Sequence, residues 1–97
     1  MKLVLVPEAV AELHDAAKFY VLKANKELGL AFVAEFERTA AKVLANPLLG
    51  TIFRDTRRRY LFRQFPYSII YQVTPEELRI LAIAHHRRHP GYWTRRK

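Results

Sequence analysis

The residues best equipped for chemistry crowd into one run, His85-His86-Arg87-Arg88-His89-Pro90-Gly91-Tyr92-Trp93-Thr94-Arg95-Arg96-Lys97. Five Lys/Arg, three histidines, two large aromatics and no acid suit phosphate oxygens, exposed bases or an acidic protein groove equally well. The alternative is a basic tail, residues 85–97, whose Tyr92 and Trp93 are pinned on the core. Metal ligation is not expected of His85, His86 and His89. Adjacent residues leaving a strand point in opposite directions, and no cysteine or nearby carboxylate completes a tetrahedral set. General acid or base work suits a histidine flanked by arginines better, because nearby cations lower its pKa and favour the neutral base.

Other chemistries find no motif. Ser68 lies mid-strand with no Gly-rich elbow, which argues against a nucleophile. Only Gly29, Gly50 and Gly91 are present, so there is no phosphate-cradling glycine loop and nucleotide hydrolysis is excluded by pattern. No cofactor is expected. Arg57, Arg58, Arg59 and Arg63 alternate along one strand, which would place Arg57, Arg59 and Arg63 on a face with Leu61. Such a ladder is either a charge-protected edge or a polyanion-binding face.

The net charge of +8 is unevenly placed. Residues 1–50 carry six Lys/Arg and six Asp/Glu, whereas residues 51–97 carry eleven and three. A patch of that density concentrates polyanions and acidic protein surfaces around itself. At 97 residues the chain lies at or below the modal domain size of roughly 100–150, so one domain spanning 1–97 is expected. Without cysteine there is no disulfide or thiolate site, and the cytoplasm is the default location. The apolar start Leu3 to Val6 is ended by Pro7 and Glu8, too early for a secretory signal, and no stretch nears the roughly 20 apolar residues of a membrane span.

These residues need elements to hold them. Leu3 to Val6 reads as a short strand, apolar enough to be covered on both faces. Pro7 starts a helix to about Ala24, with Ala9, Leu13, Ala16, Ala17 and Tyr20 at helical spacing and Glu8 and Glu12 near its positive end. After a break at Asn25 to Gly29, Phe32, Val33, Phe36, Ala40, Val43 and Leu44 mark a second helix that Asn46-Pro47 ends. The short link favours an antiparallel helical hairpin. Pro47 to Thr56 reads as loop. Arg57 to Val73 is a β-hairpin turning at Gln64-Phe65-Pro66.

Leu78 to Ala84 forms the last strand, with Leu78, Ile80 and Ala82 on one face and Leu81 and Ile83 on the other, so it is placed inside the sheet. Ile70 adds to the second face. Two helices cover only one face, so the other needs the tail, a second copy of the chain or a different protein.

The order strand, helix, helix, three strands, with Phe65-Pro66-Tyr67-Ser68-Ile69-Ile70-Tyr71 in the hairpin and His85-His86-Arg87-Arg88-His89-Pro90-Gly91-Tyr92-Trp93 at the end, resembles the RelE/ParE superfamily of type II toxin–antitoxin (plasmid stabilisation) toxins. The likeness spans nearly the whole chain. It implies an α+β fold, β-α-α-β-β-β, with a small antiparallel sheet and a helical hairpin packed on one face. It also implies a growth-arresting cytoplasmic toxin, held by a cognate antitoxin in a toxin–antitoxin hetero-oligomer.

The superfamily divides by target, DNA gyrase for ParE-like members and mRNA in the ribosome for RelE-like endoribonucleases. The ribonuclease branch often has an arginine after the tyrosine of the hairpin's second strand, where this chain has Ser68. That difference and the Pro-Gly-Tyr-Trp ending tilt the reading toward ParE. Target binding would then fall to Arg57, Arg59, Arg63, Arg87, Arg88, Tyr92, Trp93, Arg95 and Arg96. In a ribonuclease, His85, His86, Arg87 and Arg88 would be the catalytic candidates. A small basic nucleic-acid-binding module is the reading outside the toxins.

Overall fold

Proline and asparagine start the two helices. The computed structural model describes all 97 residues, in the order β1 (Lys2–Leu5), α1 (Pro7–Lys23), α2 (Lys26–Ala45), β2 (Thr51–Ile52), β3 (Arg58–Leu61), β4 (Tyr67–Val73) and β5 (Glu77–His85). Pro7 occupies the first turn of α1, where an N–H would have no partner anyway. Asn25 caps α2, its side chain accepting from the Leu28 N–H at 2.8 Å. The expected break at 25–29 therefore shrinks to Ala24 and Asn25. Gly29 lies inside α2 because the helices cross closely there: a Cβ would stand 2.3 Å from Val21 Cγ2 and 3.0 Å from the Ala17 carbonyl.

The strands form one five-stranded sheet in the order β1-β5-β4-β3-β2. It is mixed rather than wholly antiparallel, since β1 runs parallel to β5 while the other pairs are antiparallel. The parallel pairing follows from the crossover through the helical hairpin, the long connection that parallel neighbours need. β5 is internal, as its sequence suggested. β1 is an edge strand whose Leu3, Val4 and Leu5 are each half-buried, and the fully buried residue of its apolar run is Val6, at the joint into α1. β2 is a two-residue strand inside the expected loop, pairing with Arg58 and Arg59.

A register irregularity changes which residues share a face. Ile70 pairs with Ala82 but Tyr71 pairs with Ile80, so Leu81 is an extra residue on β5. The strict alternation expected for this strand fails there. Leu78, Ile80, Leu81 and Ile83 all join the helix-side core with Ile69 and Tyr71, while Ala82 joins Ile70 on the other side.

The helix-side core is built around Phe32. Its ring lies 4.9 to 5.5 Å, centre to centre, from Tyr67, Phe65, Phe62 and Tyr20, within the range where edge and tilted pairs attract. Buried Glu35 on α2 accepts the backbone N–H groups of Arg63 and, at 2.8 Å, Gln64. Two hydrogen bonds offset the desolvation of that carboxylate and fix the turn around Pro66.

The opposite face is closed by the chain's own tail. Trp93 is 1% exposed and packs with Ile70 and Ala82, flanked by Phe53, Ala84 and Tyr92. Of the tail, a second copy of the chain and a different protein, it is the tail that lies on this face.

Candidate functional site

The tail returns to the sheet through a turn that its residues dictate. Tyr92 N–H bonds to His89 O at 3.2 Å, with Pro90 and Gly91 between them and Gly91 at φ +83°. Proline second and a positive-φ glycine third are what a type II turn requires. The reversal carries Trp93 onto Ile70 and Ala82.

Glu12 then fastens the tail. Its carboxylate accepts the Tyr92 hydroxyl at 2.7 Å, Arg96 at 2.7 and 3.1 Å, and the Ile83 N–H at 3.1 Å. Arg96 also donates to Leu81 O at 3.1 Å. β1 pairs with β5 only between residues 77 and 80, so Leu81 O and Ile83 N–H lie past its end. The Glu12–Arg96 pair satisfies both groups, and each side chain is only 15% exposed. Burial first, and then Glu12, push the Tyr92 hydroxyl pKa well up. Glu12 read from sequence only as a helix-dipole acid; its reach across the strand edge is a long-range contact that local pattern does not carry.

These contacts sort the candidate residues. Trp93 is core and Arg96 is ion-paired, so both side chains are engaged in holding the tail. Arg57 lies over the Trp93 ring at 5.6 Å and near Asp55, 3.5 Å away. Arg59 lies over Phe53 at 4.7 Å, and Arg88 over Tyr92 at 3.9 Å. Arg87 and Arg95 are exposed. Arg63 does not share the face of Arg57 and Arg59: β3 ends at Leu61, and Arg63 lines a groove with Arg38 and Lys42 of α2.

The histidines separate as well. His85 packs edge-on against Tyr67 at 4.9 Å, and its Nδ1 accepts the Arg87 N–H at 3.0 Å. Burial, then His86 and Arg87, lower its pKa, which keeps the ring neutral. His86 places Nε2 3.0 Å from Ser68 Oγ. That pair lies in a cleft of about 70 Å³ between β3, β4 and the turn after β5, with Arg59 and Arg88 also in its lining. The sequence argues against Ser68 as a nucleophile, and its pairing with His86 depends on where β5 ends, which local pattern does not carry. No three histidine or carboxylate side chains converge as metal ligands. No helix is long and apolar enough to cross a membrane.

The sheet is backed on one face by the helical hairpin and closed on the other by the cationic tail. The chain matches the model of the ParE toxin of type II toxin–antitoxin systems, parDE, over residues 3–90, and it belongs to that family. Its fold is similar to a solved structure described as the chromosomal ParDE TA system from P. aeruginosa. The TM-score is 0.78 at 24% identity, over 88% of this chain and 95% of that one. No curated protein matches significantly.

Proposed function

We propose that this ParE-family toxin arrests growth by inhibiting DNA gyrase, and that a cognate antitoxin neutralises it. The family match over residues 3–90 carries this reading. Its geometry supports a binding role: Arg87, Arg88 and Arg95 are exposed beside a tail fastened by Trp93 and the Glu12–Arg96 pair, and such a cationic surface attracts an acidic or nucleic-acid-laden target.

The test is a supercoiling assay with purified protein. Loss of supercoiling at stoichiometric toxin is the expected result, relieved by Arg87→Ala/Arg88→Ala. Unimpaired gyrase at excess toxin overturns the proposal, and A-site cleavage of translated mRNA would move the chain to the ribonuclease branch. Deleting residues 92–97 is a poor probe, because it also removes Trp93 from the core.

For the antitoxin, the open surface runs along the β2–β3 edge and the adjoining cationic groove. Leu48, Ile52 and Leu61 are 67%, 59% and 52% exposed there, and Leu61 lines the groove with Arg38, Lys42 and Arg63. An acidic amphipathic segment fits that mixture of apolar and cationic groups. Leu61→Asp should weaken co-purification with the antitoxin; unchanged recovery would place the contact elsewhere.

A further inference from the structure

We propose that the cleft holding Ser68 and His86 is a binding site for a single phosphate group. This goes beyond the gyrase reading and does not depend on it. The first reason is charge. No Asp or Glu lines the cleft, whereas Arg59 enters it from β3 and Arg88 from the turn after β5. Neither guanidinium has a carboxylate partner: the ion pairs of the molecule are Arg57–Asp55, Arg79–Glu77 and Arg96–Glu12. Both are instead held over aromatic rings, Arg59 on Phe53 and Arg88 on Tyr92. A guanidinium stacked on a ring keeps its edge N–H groups free, in the fork geometry that matches phosphate oxygens.

The second reason is the buried hydroxyl. Ser68 is 2% exposed, and its side chain has one partner, His86 Nε2 at 3.0 Å. With Nε2 protonated, the ring donates to Ser68 Oγ and the hydroxyl hydrogen is free to point at a ligand oxygen. An anion selects that arrangement. Ser68 on β4, Arg59 on β3 and Arg88 in the turn after β5 all line the cleft, and two of the three are charged.

Size is compatible with that ligand: the cleft's about 70 Å³ is several times the roughly 10–15 Å³ that one water needs, enough for a phosphate group. Ile70 and Trp93 form part of the wall, and their low polarity strengthens each charged hydrogen bond. A nucleic-acid backbone and a free or terminal phosphate offer the same recognising chemistry.

Titration of the full chain by NMR distinguishes these sources. The probes are inorganic phosphate and dithymidine monophosphate, which carries one phosphodiester, with chloride held at matched ionic strength. Saturable shifts of the His86 ring and the Ser68 amide are expected. Affinity should fall about tenfold in Arg59→Ala and in Arg88→Ala and partly return in Arg88→Lys. It should be unaffected in Lys18→Ala, which removes the same charge from an exposed position on α1.

Saturation by the diester assigns the cleft to a nucleic-acid strand, and saturation by phosphate alone assigns it to a free or terminal phosphate. Absence of saturable shifts with both probes overturns the proposal. So does equal weakening in Lys18→Ala. Should Arg88→Ala disturb the tail, Ser68→Ala measured by calorimetry decides: undiminished phosphate binding there contradicts the site.

Discussion

The two faces of the sheet are closed by different means. On the helix side, fifteen buried residues from α1, α2, the strands and their connections form one continuous cluster; on the tail side the cluster has three, Ile70, Ala82 and Trp93. The first face is held by redundant apolar contact, so no one side chain on it defines a separable unit. The second is held by one indole and one polar clasp, Glu12 with Tyr92 and Arg96. A segment with few buried apolar contacts opens at lower free energy than the core it rests on. The unpaired arginines Arg59 and Arg88 and the Ser68–His86 pair belong to this second face, so the chemistry of the molecule sits where its stability is thinnest.

The sharpest way to test this contrast is to damage the thick face first. Phe32→Ala removes a fully buried ring with four aromatic neighbours and should cost about 3–5 kcal/mol. Urea unfolding should then show the whole chain melting earlier in one transition. Glu12→Gln leaves Arg96 without its counter-ion and should cost about 2 kcal/mol, less than a fully buried pair because water reaches both side chains. Its tail signals, followed by Trp93 fluorescence, should melt before the helical signal. If both signals move together, the clasp is part of the main core.

Gly91→Ala acts on the turn alone. A Cβ at φ +83° is strained, and it would stand 3.0 Å from Arg54 Cζ, so a loss of about 1 kcal/mol is expected. An unchanged melting temperature would show that the turn has other solutions.

The smallest effect is the pH response of His85. Its folded pKa lies below the ordinary 6.5, from burial first and then His86 and Arg87, so the unfolded chain binds the proton more readily. Stability is therefore full above about pH 6.5 and declines as pH falls from there through the lowered folded value. His85→Phe should flatten that decline between pH 7 and 5 by less than about 1 kcal/mol, since solvent screens a partly exposed ring. A decline of the same size in the variant would assign it to other groups.

The helices were legible because their signals are local: Pro7, Asn25, and apolar residues three and four apart. Pro66 likewise announced the hairpin's turn. The parallel partner of β1, the two-residue β2 and the extra residue Leu81 were not legible, since each depends on pairing across many residues. The same reason hid the site. The basic tail was visible as composition, and Pro90-Gly91 is a turn signal, but Ser68 meets His86, and Glu12 meets Arg96, only once β4, β5 and α1 are side by side. Alternation along one strand groups Arg63 with Arg57 and Arg59; the early end of β3 separates them.

Hydrogen exchange of Trp93→Ala measured against the unaltered chain tests most directly whether the tail is a separable cover on a self-sufficient fold. The expected result is lost protection at the Tyr92, Thr94 and Arg96 amides, with α2 and the β4–β5 ladder still protected. Uniform loss across the helices and strands would contradict it, as would tail amides that stay protected without the indole.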